Sequence, residues 1–70
     1  MAKTDLRKTL GESVRVRRRQ LALSQAELGE RAGLHRTYVC DVEHGSRNVS
    51  LACIAKLAGA LDVPVSALFP

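Results

Sequence analysis

Along Arg36-Thr37-Tyr38-Val39-Cys40-Asp41, four side chains carry hydrogen-bonding chemistry suited to nucleic-acid base edges. The planar fork of Arg36 can donate two hydrogen bonds to O6 and N7 of guanine, so it is the first candidate for base reading. Its alternative is a phosphate contact or solvent, because over half of protein–DNA hydrogen bonds go to the backbone. Thr37 can bond a base or touch a thymine methyl, and equally can belong to a helix cap. Asp41 follows one turn later on the same face, where a carboxylate could accept from a cytosine amino group or repel wrong approaches. Tyr38, the only tyrosine, either reaches a phosphate or sugar or lies half-buried against the preceding helix.

A second set suits phosphates. Gln25 stands at a helix N-terminus whose amides attract anions, and Arg47 and Asn48 fall in a later loop. Ser24 caps first and contacts phosphate second. Arg17 and Arg19 add attraction from an earlier helix or serve as solvated surface charges. Cys40 and His44 are four residues apart and could share a metal with His35 or Cys53. The spacing lacks the paired CxxC form of structural zinc sites, and a small apolar thiol suits Cys53 on a buried face, so neither metal nor cofactor is called for.

These side chains need a scaffold, and the apolar spacing supplies one. Leu6, Leu10, Val14 and Leu21 mark one face of a first helix over about 5–21, weakened but not ended by Gly11. Ser24 with Glu27 three residues on is a capping box that opens a second helix. Leu28 and Ala32 form its stripe, and Gly33 follows where a helix needs a left-handed exit. Leu34, Val39 and Val42 continue into a third helix, about Arg36 to His44, stopped at Gly45. Two short helices about a glycine turn read as a helix-turn-helix with a cationic leading end. Gly29 is expected to face the crossing third helix, where a side chain would push the pair apart. Ser50 caps a fourth helix, expected to be mostly buried through Leu51, Ile54, Ala55, Leu57, Ala58 and Leu61. Asp62-Val63-Pro64 breaks it before a short fifth helix carrying Val65, Leu68 and Phe69. The fold class is thus all-α, a compact five-helix domain spanning residues 1–70.

Composition narrows the function. The chain has 70 residues and a net charge of +4, with the basic excess early, at Arg7, Lys8, Arg15, Arg17, Arg18 and Arg19. That pattern suits a polyanionic partner. A domain this small has a modest core, which makes a second subunit an open question. No Gly-rich phosphate loop or nucleophile–base pair is evident, which argues against an enzyme and leaves no small-molecule substrate in view. No apolar run approaches the roughly 20 residues of a membrane span. Cys40 and Cys53 read as reduced intracellular thiols, so the expected location is the cytoplasm.

The runs LSQAELGERAGL, TYV with DVE and G after it, and LAGALDVPVSALF resemble the phage-repressor class of helix-turn-helix domains over nearly the whole chain. Gln25, Gly29, Gly33 and Val39 carry that constellation. More narrowly, HRTYVCDVEHGSRNVS resembles the controller proteins of restriction-modification systems, departing from their pattern at His35, Cys40 and His44. The resemblance implies a small dimeric regulator bound to operator DNA upstream of its own gene and the nuclease gene. It also implies an internal ion pair between Arg18 and Glu43 and a DNA-facing part for Tyr38. The expected mechanism is a homodimer placing two third helices in successive major grooves, about 34 Å apart, on a pseudo-palindrome. Leu68 and Phe69, with nearby fourth-helix residues, are the interface candidates. The alternative is an antitoxin half or regulatory adaptor that uses the same apolar surface to bind protein.

Overall fold

A computed structural model describes residues 5–70, and all regular structure among them is helical. The elements are α1 (Leu6–Gln20), α2 (Gln25–Ala32), α3 (Arg36–Glu43), α4 (Leu51–Ala60) and a 3-10 turn (Val65–Leu68). Residues 1–4 of the expected domain lie outside the described residues.

Each α-helix opens on a side-chain cap. Asp5, Ser24, His35 and Ser50 accept from the backbone N–H of Arg7, Glu27, Thr37 and Cys53, respectively. Ser24 and Glu27 form the full reciprocal box, since the Ser24 N–H also donates to the Glu27 carboxylate at 2.9 Å. Those hydrogen bonds, the backbone one foremost, hold the Glu27 carboxyl below its ordinary range. His35 caps through Nδ1, 3.1 Å from the Thr37 nitrogen.

The four helices also close alike, on one left-handed residue with two short-range hydrogen bonds. The left-handed residues are Ala22, Gly33, Gly45 and Asp62, with φ of 56°, 71°, 69° and 57°. At the first exit, Ala22 N–H reaches Arg19 O and Leu23 N–H reaches Arg18 O; at the third, Gly45 N–H reaches Val42 O and Ser46 N–H reaches Asp41 O. The same two bonds recur after α2 and α4. This is the Schellman closure, which satisfies carbonyls a helix end otherwise leaves open. Glycine avoids the Cβ penalty at Gly33 and Gly45, whereas Ala22 and Asp62 bear it.

Helix α3 packs against α1 and α2, α4 against α2, and the 3-10 turn against α1 and α4. The core between them holds Leu10, Val14, Leu28, Val39, Val42, Leu57, Leu61 and Leu68. Three expectations change here. The terminal element is a 3-10 turn, not a fifth α-helix, because it is four residues long after Pro64 and closes with i to i+3 bonds. Helix α4 is one-sided: Ile54, Leu57 and Ala58 are buried, but Leu51 is 82% exposed. Leu6 likewise leaves the core stripe of α1, at 59% exposed.

Two glycines are required by close approach. A Cβ on Gly29 would collide with the Leu34 carbonyl oxygen and come within 3.4 Å of the Arg36 nitrogen, so the constraint comes first from the turn into α3 and then from the first residue of α3. A Cβ on Gly11 would run into the Val42 and Glu43 carbonyls at the end of α3, whereas one on Gly59 would meet open space. Gly11 is therefore where α1 and α3 touch backbone to backbone. Gly11→Ala is expected to destabilise the protein by about 1–3 kcal/mol through overpacking, while Gly59→Ala stabilises it by about 0.5–1 kcal/mol through helix propensity. Urea unfolding midpoints that move in opposite directions for the two variants are the check.

Candidate nucleic-acid interface

At the end of α3 lies a buried charge. The Glu43 side chain, at the end of α3, is 3% exposed and that of Arg18, on α1, is 12% exposed. Arg18 donates through Nε to Oε2 at 2.6 Å and through Nη2 to Oε1 at 3.0 Å, while its Nη1 donates to the Leu23 carbonyl at 2.9 Å. Gln25 Nε2, at the start of α2, adds a third donor to Oε1 at 3.2 Å. Hydrogen bonding to Glu43 pushes the Arg18 guanidinium up from an already high value, so it stays charged. The carboxylate thus fixes α3 to α1 and to the head of α2 at one point.

At the opposite end of α3 from that anchor, the leading turn is open. His35, Arg36 and Thr37 are all exposed, and Arg36 makes no ion pair among the described residues. The His35 cap takes the Thr37 backbone N–H, and Thr37, exposed, carries a hydroxyl that can donate and accept.

Further along α3, the candidate residues meet one another. Arg47 Nη2 lies 2.8 Å from Asp41 Oδ2, and its guanidinium sits 4.5 Å from the centre of the Tyr38 ring. Tyr38 is half-buried against the core. Hydrogen bonding to the Cys53 thiol, with burial, pushes the Tyr38 phenol up. Cys53 is drawn down in turn, first by the Ser50 hydroxyl and then by Tyr38. Asp41 is accordingly a carboxylate paired with a cation through Oδ2, on a side chain that is 34% exposed. No periodicity rule links Asp41 to Arg47, because the pair closes across a non-helical turn.

Several phosphate candidates have internal work. Arg17 Nε donates to the Leu61 carbonyl at 3.0 Å and ties α1 to the end of α4, while its half-buried guanidinium keeps further N–H donors. Gln25 commits one amide N–H to Glu43 and keeps the other. Ser24 is engaged in its capping box. Asn48 is exposed on the rim of an apolar groove lined by Leu6, Leu10, Val49, Leu51, Ile54, Val65 and Phe69. Phe69 belongs to that groove, but Leu68 is 1% exposed within the protein's own core. Leu68 therefore cannot serve the interface expected of it. Cys40 Sγ lies 3.5 Å from His44 Nδ1, which also meets the Cys40 carbonyl at 2.8 Å. Among the described residues, no group of three or more His, Cys, Asp or Glu side chains converges as a metal site, and no helix is long and apolar enough to cross a membrane.

A short helix with a polar, cationic leading end, held by a glycine turn and a buried ion pair, defines a helix-turn-helix DNA-binding domain. The chain belongs to the helix-turn-helix family of transcriptional regulators, whose match extends over residues 14–68, and it is not an enzyme. It is 45% identical over 64 residues to control protein C.SmaI of Serratia marcescens, covering 91% of this chain and 76% of that protein. Control protein C.BamHI of Bacillus amyloliquefaciens is 43% identical over 60 residues, covering 84% and 74%. The crystal structure of the restriction-modification controller protein C.AhdI from Aeromonas hydrophila matches with a TM-score of 0.87 at 46% identity, covering 90% of this chain and 96% of that one.

Removing one partner from the buried pair leaves an uncompensated charge, so Glu43→Ala is expected to cost about 3–5 kcal/mol. The double variant Arg18→Met, Glu43→Leu should recover most of that loss. A double-mutant cycle by denaturant unfolding measures the coupling directly.

Proposed function

We propose that this chain is a single-domain cytoplasmic regulator of a restriction-modification operon, acting as a homodimer on a pseudo-palindromic operator. The observation that carries the reading is the exposed leading end of α3, with Arg36 and Thr37 open to solvent on a helix whose far end is held by the buried Arg18–Glu43 anchor. Likeness to the control proteins supports the operon assignment.

In this proposal Arg36 reads guanine and Thr37 adds a second base or methyl contact. The free amide N–H of Gln25, the N–H groups at the head of α2, Arg47 and Asn48 position the phosphates. Tyr38 supports Arg47 from below. The dimer forms through the groove, where Leu51, Leu6, Val65 and Phe69 form an apolar patch of a kind that marks interaction sites. A two-fold axis through it makes the contact self-complementary and gives the operator its pseudo-palindrome.

Selection of sites from a random duplex pool identifies the operator, and titration at rising salt should show a steep loss of affinity. Arg36→Ala is expected to lose about 1–3 kcal/mol, concentrated at one base position of each half-site. Leu51→Glu should shift sedimentation toward monomer and weaken operator binding while leaving the helical fold intact. Weak, sequence-indifferent DNA binding combined with tight capture of a protein partner would replace this reading with that of an interaction module.

A further inference from the structure

Asp41 touches the loop after α3 in two ways. Its backbone carbonyl accepts from the Ser46 N–H at 3.1 Å and from the Ser46 hydroxyl at 3.2 Å. Its carboxylate takes Arg47 at 2.8 Å. The backbone therefore sets where Arg47 leaves the loop, and the side chain sets where its guanidinium stops. Tyr38 supplies a third constraint, a ring face 4.5 Å from the guanidinium carbon, and Tyr38 is itself half-buried. An arginine side chain otherwise samples many rotamers, and ordering it on binding is a cost that preorganisation removes.

The guanidinium carries five N–H donors, of which Asp41 engages one at Nη2. The others remain for an acceptor, and the Arg47 side chain is 44% exposed. Contact with a phosphate thus does not require the ion pair to break. A carboxylate so placed has two opposing effects on a DNA ligand: its charge repels the phosphates, and its hydrogen bond aims the cation.

From these contacts we infer that Asp41 is a positioning residue that holds Arg47 against Tyr38 in the free protein, ready for a DNA phosphate, and is not itself a reader of bases. The inference rests on the DNA-binding reading above and assigns the work of one residue within it. Its sign distinguishes it from simple electrostatics. Removing one negative charge near DNA strengthens binding if charge is all that matters. Loss of an aimed arginine weakens it.

The test is a double-mutant cycle between Asp41→Asn and Arg47→Ala, read on the selected operator and over the full base-preference profile, with thermal unfolding as the folding check. Asp41→Asn is expected to weaken operator binding roughly 3- to 10-fold, the scale of ordering one long side chain, with the profile unchanged. In the Arg47→Ala background the same substitution should give no loss. A shift in preference at one base position would make Asp41 a reader and overturn the inference. Equal strengthening in both backgrounds would make it a bystander and overturn it too. Side-chain NMR of the free protein gives an arm independent of DNA: the Arg47 Nε–H should be ordered in the wild type and mobile in Asp41→Asn. Equal mobility overturns the holding role even where operator binding stands. A wild type that selects no duplex refutes the DNA-binding reading, while the NMR result still decides whether Asp41 holds Arg47.

Discussion

One carboxylate, that of Glu43, ties together the three helices on which the rest depends. It takes two donors from Arg18 on α1 and one from Gln25 on α2, and it sits at the last residue of α3. A buried ion pair contributes little net stability once desolvation is counted, but it strongly disfavours arrangements that leave either charge unpaired. Its role here is orientation. The backbone contact at Gly11 enforces the same closeness from the other side, since α1 meets the α3 carbonyls where a methyl group would not fit. An attractive contact and a steric one thus specify the same placement of α3.

Gln25 is the hinge between scaffold and surface. One of its amide protons belongs to the buried anchor, while the residue itself lies at the head of α2, where N–H groups open toward solvent. In the proposed complex, a phosphate on the second proton would be in hydrogen-bond continuity with Glu43 and, through it, Arg18.

Features closed within a few residues were legible in the chain: the capping box at Ser24 and Glu27, the left-handed exit at Gly33, the stop at Gly45 and the helical stripes. Each depends on local geometry, which residue type and spacing report directly. Less legible were choices made by partners distant in sequence. An apolar helix such as α4 does not say which of its sides finds a neighbour, so Leu51 and Leu57 looked alike although one is 82% exposed and the other fully buried. Leu68 and Phe69 were indistinguishable for the same reason. Arg17 and Arg18 are adjacent cations, yet one meets a helix-end carbonyl and the other a carboxylate. Around the site, Asp41 and Arg47 could be chosen as polar candidates from their positions, but their mutual pairing arises only once the loop closes.

The repeated closure of the helix ends has a kinetic consequence. All four exits are fixed by bonds reaching back only three to five residues, so the direction in which each helix hands the chain to the next is decided locally. What remains for the folding search is to dock short, pre-directed rods, a problem of low contact order. Such a chain should reach its native arrangement without a slow long-range pairing step, and little sticky surface would be left exposed along the way.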